Sequence, residues 1–218
     1  MRLTFLGHAC FDLCDGKYHV LTDPYLSGND LAAARAGEVP ADFILVSHCH
    51  GDHLGDTLDI ARRTGATVVG VAELRGMLTE AGLKNCLGNI GGWGPMPFGR
   101  VKLLQAIHGS GLPGALACGF LIEMGGKKVY FAGDTAFYGD MALLAEEKLD
   151  AALLPIGDFY TMGPDDAARA ARAIGAKITV PMHYDTFPAI RQDPQAFKAL
   201  CEPASRVAVL RPGESLEL

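Results

Sequence analysis

At 218 residues, with 49% hydrophobic and 20% charged positions, the chain can bury one substantial core and is too apolar for disorder. A formal charge of −6 offers no basic surface to a phosphate backbone, and no apolar run nears the roughly 18 residues that span a bilayer. Six cysteines without a C-x-x-C pair exclude a dense disulfide framework and fit reduced thiols in a cytoplasmic setting.

Residues 2–6, 10–14 and 18–22 read as three short strands. The opening Met1–Cys10 is too short for a charged region plus an apolar signal core, so it reads as a packed strand rather than a lipoprotein leader. His8 follows that first strand beside Gly7, while His19 sits inside a strand and reads as structural. A buried strand at 42–47 then runs into His48-Cys49-His50-Gly51-Asp52-His53, and a helix is expected over 55–64. The cluster therefore lies at the carboxyl end of a strand, where α/β proteins place their chemistry. Imidazole and carboxylate suit Zn²⁺, Mn²⁺ or Fe²⁺. Cys49 lies between two such groups, and alternation along an extended segment turns it away from them.

A strand at 66–71 and a short helix at 74–80 follow. Between Gly88 and Gly99, five glycines and two prolines predict an irregular loop whose Trp93 is a candidate pocket residue. That loop lacks the Lys-Ser/Thr and the strand-to-helix context of a phosphate-binding loop. The run 101–107 ends at His108, and a second glycine-rich turn, 109–114, comes directly after it.

The second half predicts strands at 118–124, 128–132, 151–155, 177–181 and 206–210, with an edge strand near Leu216. Helices are expected near 139–148, 164–174 and 194–201. The 164–174 helix has the clearest signals: Pro164 at its first position, Asp165 and Asp166 at its positive end, and an Asp165–Arg169 pair one turn apart. Asp134 and His183 each terminate a hydrophobic run, as His108 and the cluster do. Four strand-ending loops would thus bring together His48, His50, Asp52, His53, His108, Asp134 and His183. That is more than one tetrahedral ion needs, and it suits two divalent ions sharing a carboxylate. Tyr184, Asp185 and Thr186 beside His183, and Asp23 before Pro24, are candidates to orient ligand rings. Tyr138 and Tyr160 are weaker pocket candidates.

The order HxHxDH, then His, Asp and His, resembles the ligand pattern of the metallo-β-lactamase superfamily, with every ligand present. The resemblance implies an α/β fold, a four-layer αββα sandwich of two similar halves, as one domain over 1–218. It further implies one site from His48, His50 and His108, a second from Asp52, His53 and His183, and Asp134 bridging them with a water or hydroxide. Gly7-His8-Ala9-Cys10-Phe11, Phe131–Thr135, Thr161–Ala167 and Pro181–Pro188 are similar to a compact subgroup labelled metal-dependent hydrolase. That subgroup is similar in turn to ascorbate-6-phosphate lactonases and, more distantly, to N-acyl-phosphatidylethanolamine phospholipases D.

The expected activity is hydrolysis of a small ester, lactone or phosphodiester by a metal-bridging hydroxide. Zinc is expected ahead of manganese, nickel or iron. Asp52 and His8 are the expected catalytic groups, and Trp93, Tyr184 and Thr186 the expected substrate contacts. Two alternatives remain: an iron oxidoreductase, disfavoured because flavodiiron proteins carry glutamate where His50 stands, and a metal-binding module without turnover. β-Lactam hydrolysis is not expected, since the enzymes known for it carry cysteine in place of Asp134. The expected partner is a small molecule rather than nucleic acid, and a mean hydropathy of +0.18 points to a homo-oligomer.

Overall fold

The computed structural model describes residues 1–218. The β-branched and aromatic runs of the first half form β1 (Arg2–Gly7), β2 (Cys10–Cys14), β3 (His19–Thr22), β4 (Phe43–Leu45), β5 (Thr67–Val71) and β6 (Asn85–Gly88). Strands β1 to β3 pair antiparallel through tight connections, whereas β3 to β6 pair in parallel. The parallel steps carry the helices α1 (Gly51–Leu54), α2 (Thr57–Thr64) and α3 (Arg75–Glu80). The second half repeats the plan. Strands β7 (Trp93–Met96), β8 (Gly99–Gln105), β9 (Cys118–Met124) and β10 (Lys127–Phe131) pair antiparallel, then β11 (Ala151–Pro155) and β12 (Ile178–Met182) continue in parallel. Helices α4 (Pro164–Ile174) and α5 (Pro194–Cys201) belong to this half. The final strand, β13 (Ser215–Glu217), crosses back to pair with β1.

The result is two mixed sheets, of seven and six strands, flanked by helices. Their apolar faces share one cluster of 58 buried residues that includes Phe11, Ile44, Phe120 and Phe131. Parallel strands buried on both faces need near-continuous apolar sequence, and β11 and β12 are buried throughout. Helix α4 can lie close because Ala167, Ala168, Ala170 and Ala171 are its buried residues, with Ile174. No helix is long and apolar enough to cross a membrane.

Strand direction determines where the chemistry goes. In the first sheet β1, β3 and β4 run the same way, so His8, Asp23 and the His48–His53 run all follow carboxyl ends on one edge. In the second sheet β8, β10 and β12 share a direction, which places His108, Asp134 and His183 on one edge too.

Several expected elements change form. The 88–99 stretch is not an irregular loop: it ends β6, forms β7 and turns at Pro97-Phe98 into β8. Strand β7 is the edge of its sheet, where Pro95 removes no inner ladder bond. The 55–64 helix begins earlier and is broken by Gly55, whose positive φ ends α1 before α2 starts. Residues 139–147 wind as a 3-10 helix. The 206–210 segment is no strand. Its only ladder contact is a single parallel bridge from Val207 to Thr179. On α4 it is Asp166, not Asp165, that pairs with Arg169, at 2.9 Å.

Candidate metal centre

The two sheet edges face each other across the seven expected ligands. After β4, Ser47 and His48 remain buried, and α1 then presents Asp52 and His53. Gly133 brings the loop after β10 against the first sheet, where a Cβ would sit 2.8 Å from the Ser47 Cβ. Gly111 does the same for the loop after His108. A Cβ there would lie 2.8 Å from His50 Cδ2.

On one side of the centre, His48 Nε2 lies 2.9 Å from His50 Nδ1, and His108 Nε2 lies 3.3 Å from that same nitrogen. On the other, Asp52, His53 and His183 gather with His8, their ligand atoms all within 4.8 Å of one another. Asp134 stands between the two groups. Its Oδ1 is 3.2 Å from His53 Nε2, and its Oδ2 is 3.1 Å from His183 Nε2 and 3.5 Å from His108 Nε2.

Hydrogen bonds around the rings determine which nitrogens are free. The fully buried Asp23 accepts from Ser47 N at 2.8 Å, from Ser47 Oγ at 2.5 Å and from His53 Nδ1 at 2.7 Å. With its own proton given to Asp23, Ser47 Oγ accepts from His48 Nδ1 at 2.9 Å. One carboxylate therefore orients a ligand of each group, His53 directly and His48 through a hydroxyl. Both rings are left with Nε2 pointing into the centre. His8 is arranged alike: Nε2 donates to Asp52 Oδ2 at 3.2 Å, and Nδ1 accepts from Thr186 Oγ1 at 2.5 Å.

The electrostatics follow from burial and neighbours. Burial drives His48 down to about 2 and His8 down to about 4, so both rings stay neutral at pH 7. Burial also lowers His108. Burial pushes His53 and His183 down as well, but Asp134 with Asp23 for His53, and Asp134 with Asp52 for His183, outweigh it and raise both. Asp134, which burial would raise, is held well below the carboxylate range by His53 and His183. Asp52, likewise raised by burial, is lowered overall by His183, His8 and His53.

The residues fit a bound cation. His53 Nε2, Asp134 Oδ1 and His183 Nε2 are buried side-chain atoms with no hydrogen-bond partner. His53 Nδ1 is taken up by Asp23, so its Nε2 is left facing Asp134 Oδ1 at 3.2 Å, on the side where an ion would sit. Burying polar atoms without a partner costs about 1–3 kcal/mol each, and coordination to a cation would remove that cost.

The centre opens into a cavity of about 880 Å³ lined by Asp52, His50, His108, Asp134 and His183 and, away from them, by Tyr25, Tyr160 and Phe187. A smaller cavity of about 300 Å³ lies behind His8, with Tyr184 and Thr186 in its wall.

Residues 18–184 match the family described as the Beta-lactamase superfamily domain. The chain belongs to the metallo-β-lactamase superfamily. Within that superfamily, it is 46% identical over 224 residues to a UPF0173 metal-dependent hydrolase of Symbiobacterium thermophilum, covering all of both chains. It is 48% identical to a UPF0173 metal-dependent hydrolase of Heliobacterium modesticaldum, over all of this chain and 98% of that one. Among solved structures it resembles Igni18, a metallo hydrolase of Ignicoccus hospitalis. The TM-score is 0.93 at 35% identity, covering 100% of this chain and 98% of that one. Metal-dependent hydrolysis is thus the activity of its named relatives.

Six of the seven expected ligands fall in groups that could hold an ion, Asp134 lies between those groups, and Cys49 is in none of them. His8 is at the centre but inside its wall, 1% exposed. Thr186, expected to contact substrate or orient His183, binds His8 instead, and both ring nitrogens of His183 lack a partner. Tyr184 faces the smaller cavity. Trp93 is not at the centre: it lies on β7 beneath the Arg100 guanidinium, 4.1 Å from its ring centre. Its strand is the outer edge of the second sheet, where Trp93 pairs with Lys102 and stays out of the cavity wall. Sequence reasoning missed Ser47, Tyr25 and Phe187. Their places depend on which loops face one another, and only the Asp23-Pro24-Tyr25 step after a strand hinted at any of them.

Proposed function

We propose that residues 1–218 act as one hydrolase domain that holds two divalent ions and cleaves a small ester, lactone or phosphodiester. The single observation behind this reading is Asp134, whose two oxygens face His53 and His183 of one ligand group and His108 of the other. His48, His50 and His108 would hold the first ion, Asp52, His53 and His183 the second, and Asp134 both. Zinc suits this nitrogen-rich set best, with manganese, nickel or iron as substitutes. Bound there, the ions supply Lewis acidity toward the substrate oxygen and acidify a water toward pH 7.

The chain's own residues do the rest. Asp52 is the one ligand carboxylate with a quarter of its side chain open to the cavity, so its free oxygen can take a proton from the attacking water. His8 holds the other side of that carboxylate still through Nε2, and Thr186 fixes the His8 tautomer. Asp23 and Ser47 keep His53 and His48 aimed inward. Six free thiols support a reducing, cytoplasmic location.

The test is elemental analysis of wild type and His50→Ala beside hydrolysis of a carboxylic ester, a lactone and bis-p-nitrophenyl phosphate. The expected result is about two ions per wild-type chain, with metal and turnover falling together in the variant. Turnover that survives loss of metal would overturn the reading.

A further inference from the structure

Beyond the candidate ligands, the large cavity has no charged side chain: no lysine or arginine lines it, and no further aspartate or glutamate. The rest of its wall is Tyr25, Tyr160, Phe187, Pro188 and Ala189, with Gly51. Tyr25 and Phe187 lie with ring centroids 6.1 Å apart and 34° between planes, and His8 packs edge-on against both at 5.5 Å. They form a fixed apolar surface. Tyr25 is anchored at both ends, its amide donating to Asp23 O and its hydroxyl to Gly28 O, each at 2.8 Å.

The segment that carries Tyr160 is held unusually. Asp158 and Phe159 adopt φ of +61° and +38°, conformations that cost a non-glycine residue energy. Met162 N donates to Thr135 O at 3.0 Å, so the turn is tied to the residue after Asp134. Yet Phe159 is 78% exposed, and it packs only edge-on against Tyr160, 53% exposed, at 4.8 Å. Folding gains little by holding two aromatic rings in water on a strained turn. A ligand with a flat apolar group would gain from both.

We propose that the cavity takes a neutral carboxylic ester or lactone bearing a flat apolar group, which lies against Tyr25, Phe187 and Tyr160, the last braced edge-on by Phe159. This rests on the hydrolytic reading above and narrows it. A second anionic group on the substrate, such as a phosphate or carboxylate remote from the scissile bond, would meet aromatic rings and no cation. Burying it there without a partner is unfavourable. The same cavity rewards an aryl substituent through ring contacts and displaced water.

The experiment compares three γ-lactones that differ only in substituent: hydrogen, phenyl, or phosphate. They are assayed with the metal-loaded protein. Non-hydrolysable γ-lactams with the same three substituents are titrated into metal-loaded and metal-free protein. Phenyl is expected to raise kcat/KM over hydrogen by about tenfold or more, with phosphate below hydrogen. The phenyl lactam is expected to bind tightest, with or without metal. Tyr160→Ala and Phe159→Ala should each shrink the phenyl advantage by about threefold to tenfold, and Tyr160→Phe should keep it. A phosphate substituent that equals or beats phenyl would overturn the inference. If no lactone is turned over, the hydrolytic reading fails for lactones and the lactam series decides alone: phenyl preference sustains the cavity's selectivity, and its absence ends it.

Discussion

The two sheet edges hold their ligands in different ways. On the first, His48, His50, Asp52 and His53 come from six consecutive residues, and three site rings have an outer partner: Ser47 for His48, Asp23 for His53, Thr186 for His8. On the second, His108, Asp134 and His183 come one per loop from three separate strands. His183 has no partner on either nitrogen, and one oxygen of Asp134 has none. The first edge is oriented by the protein alone. The second is positioned by backbone, with its polar atoms waiting for charge. Ligands that are already fixed spare a bound ion the entropy of arranging them, and the unsatisfied ones give it the enthalpy.

The sharpest way to break this contrast is at the residue between the edges. Asp134→Ala is expected to abolish hydrolysis by more than about a hundredfold and to lower metal content, which elemental analysis of the purified variant checks. That loss exceeds the roughly 10–100-fold range of outer-sphere changes. Asp23→Ala probes the pre-oriented edge instead. It should lower metal affinity by about 10–100-fold, read by competition with a chromophoric chelator, and cost the metal-free protein roughly 3–5 kcal/mol because buried His53 loses its partner. Asp134→Ala should cost the metal-free protein less than it costs the loaded form, which denaturant titration of both forms would show.

Removing the ions from the wild-type chain sharpens the same contrast. With ions at 100 to 1,000 times their dissociation constant, chelation should lower the unfolding free energy by about 2.7 to 4.1 kcal/mol per site. Hydrogen exchange should then rise more in the loops holding His108, Asp134 and His183 than in α1. The smallest effect belongs to the opposite end of the second sheet. There Asp150 accepts from Lys128 N at 2.9 Å and from Lys177 Nζ at 2.8 Å. Burial would raise Asp150, but Lys177 and the Lys128 amide outweigh it and lower it. A lowered folded pKa contributes stability above the unfolded value of about 3.9, lost as pH falls through the folded one. Asp150→Asn should therefore cost about 1 kcal/mol at pH 7, with the gap to wild type closing below about pH 4, and leave turnover unchanged.

The candidate ligands were legible because they stand where hydrophobic runs stop, and a strand's carboxyl end is a place the sequence marks. The outer partners were less so. Nothing local joins Asp23 to Ser47, 24 positions away, and their contact exists only because β3 and β4 lie side by side. Trp93 misled for a related reason: glycines and prolines around it suggested a free loop, and edge-strand pairing tolerates both. The aromatic wall was the least visible part. Tyr25, Tyr160 and Phe187 sit in three loops that only the facing of the sheets brings together.

The His183 amide donates to the His8 carbonyl at 2.8 Å, joining the turn after the first strand to the turn after the last parallel strand. That bond ties the two halves across nearly the whole chain, so it opens when they part or when either of its turns loosens. Comparing the exchange of its proton with that of the core strands makes one amide a gauge of whether the two halves melt together or apart.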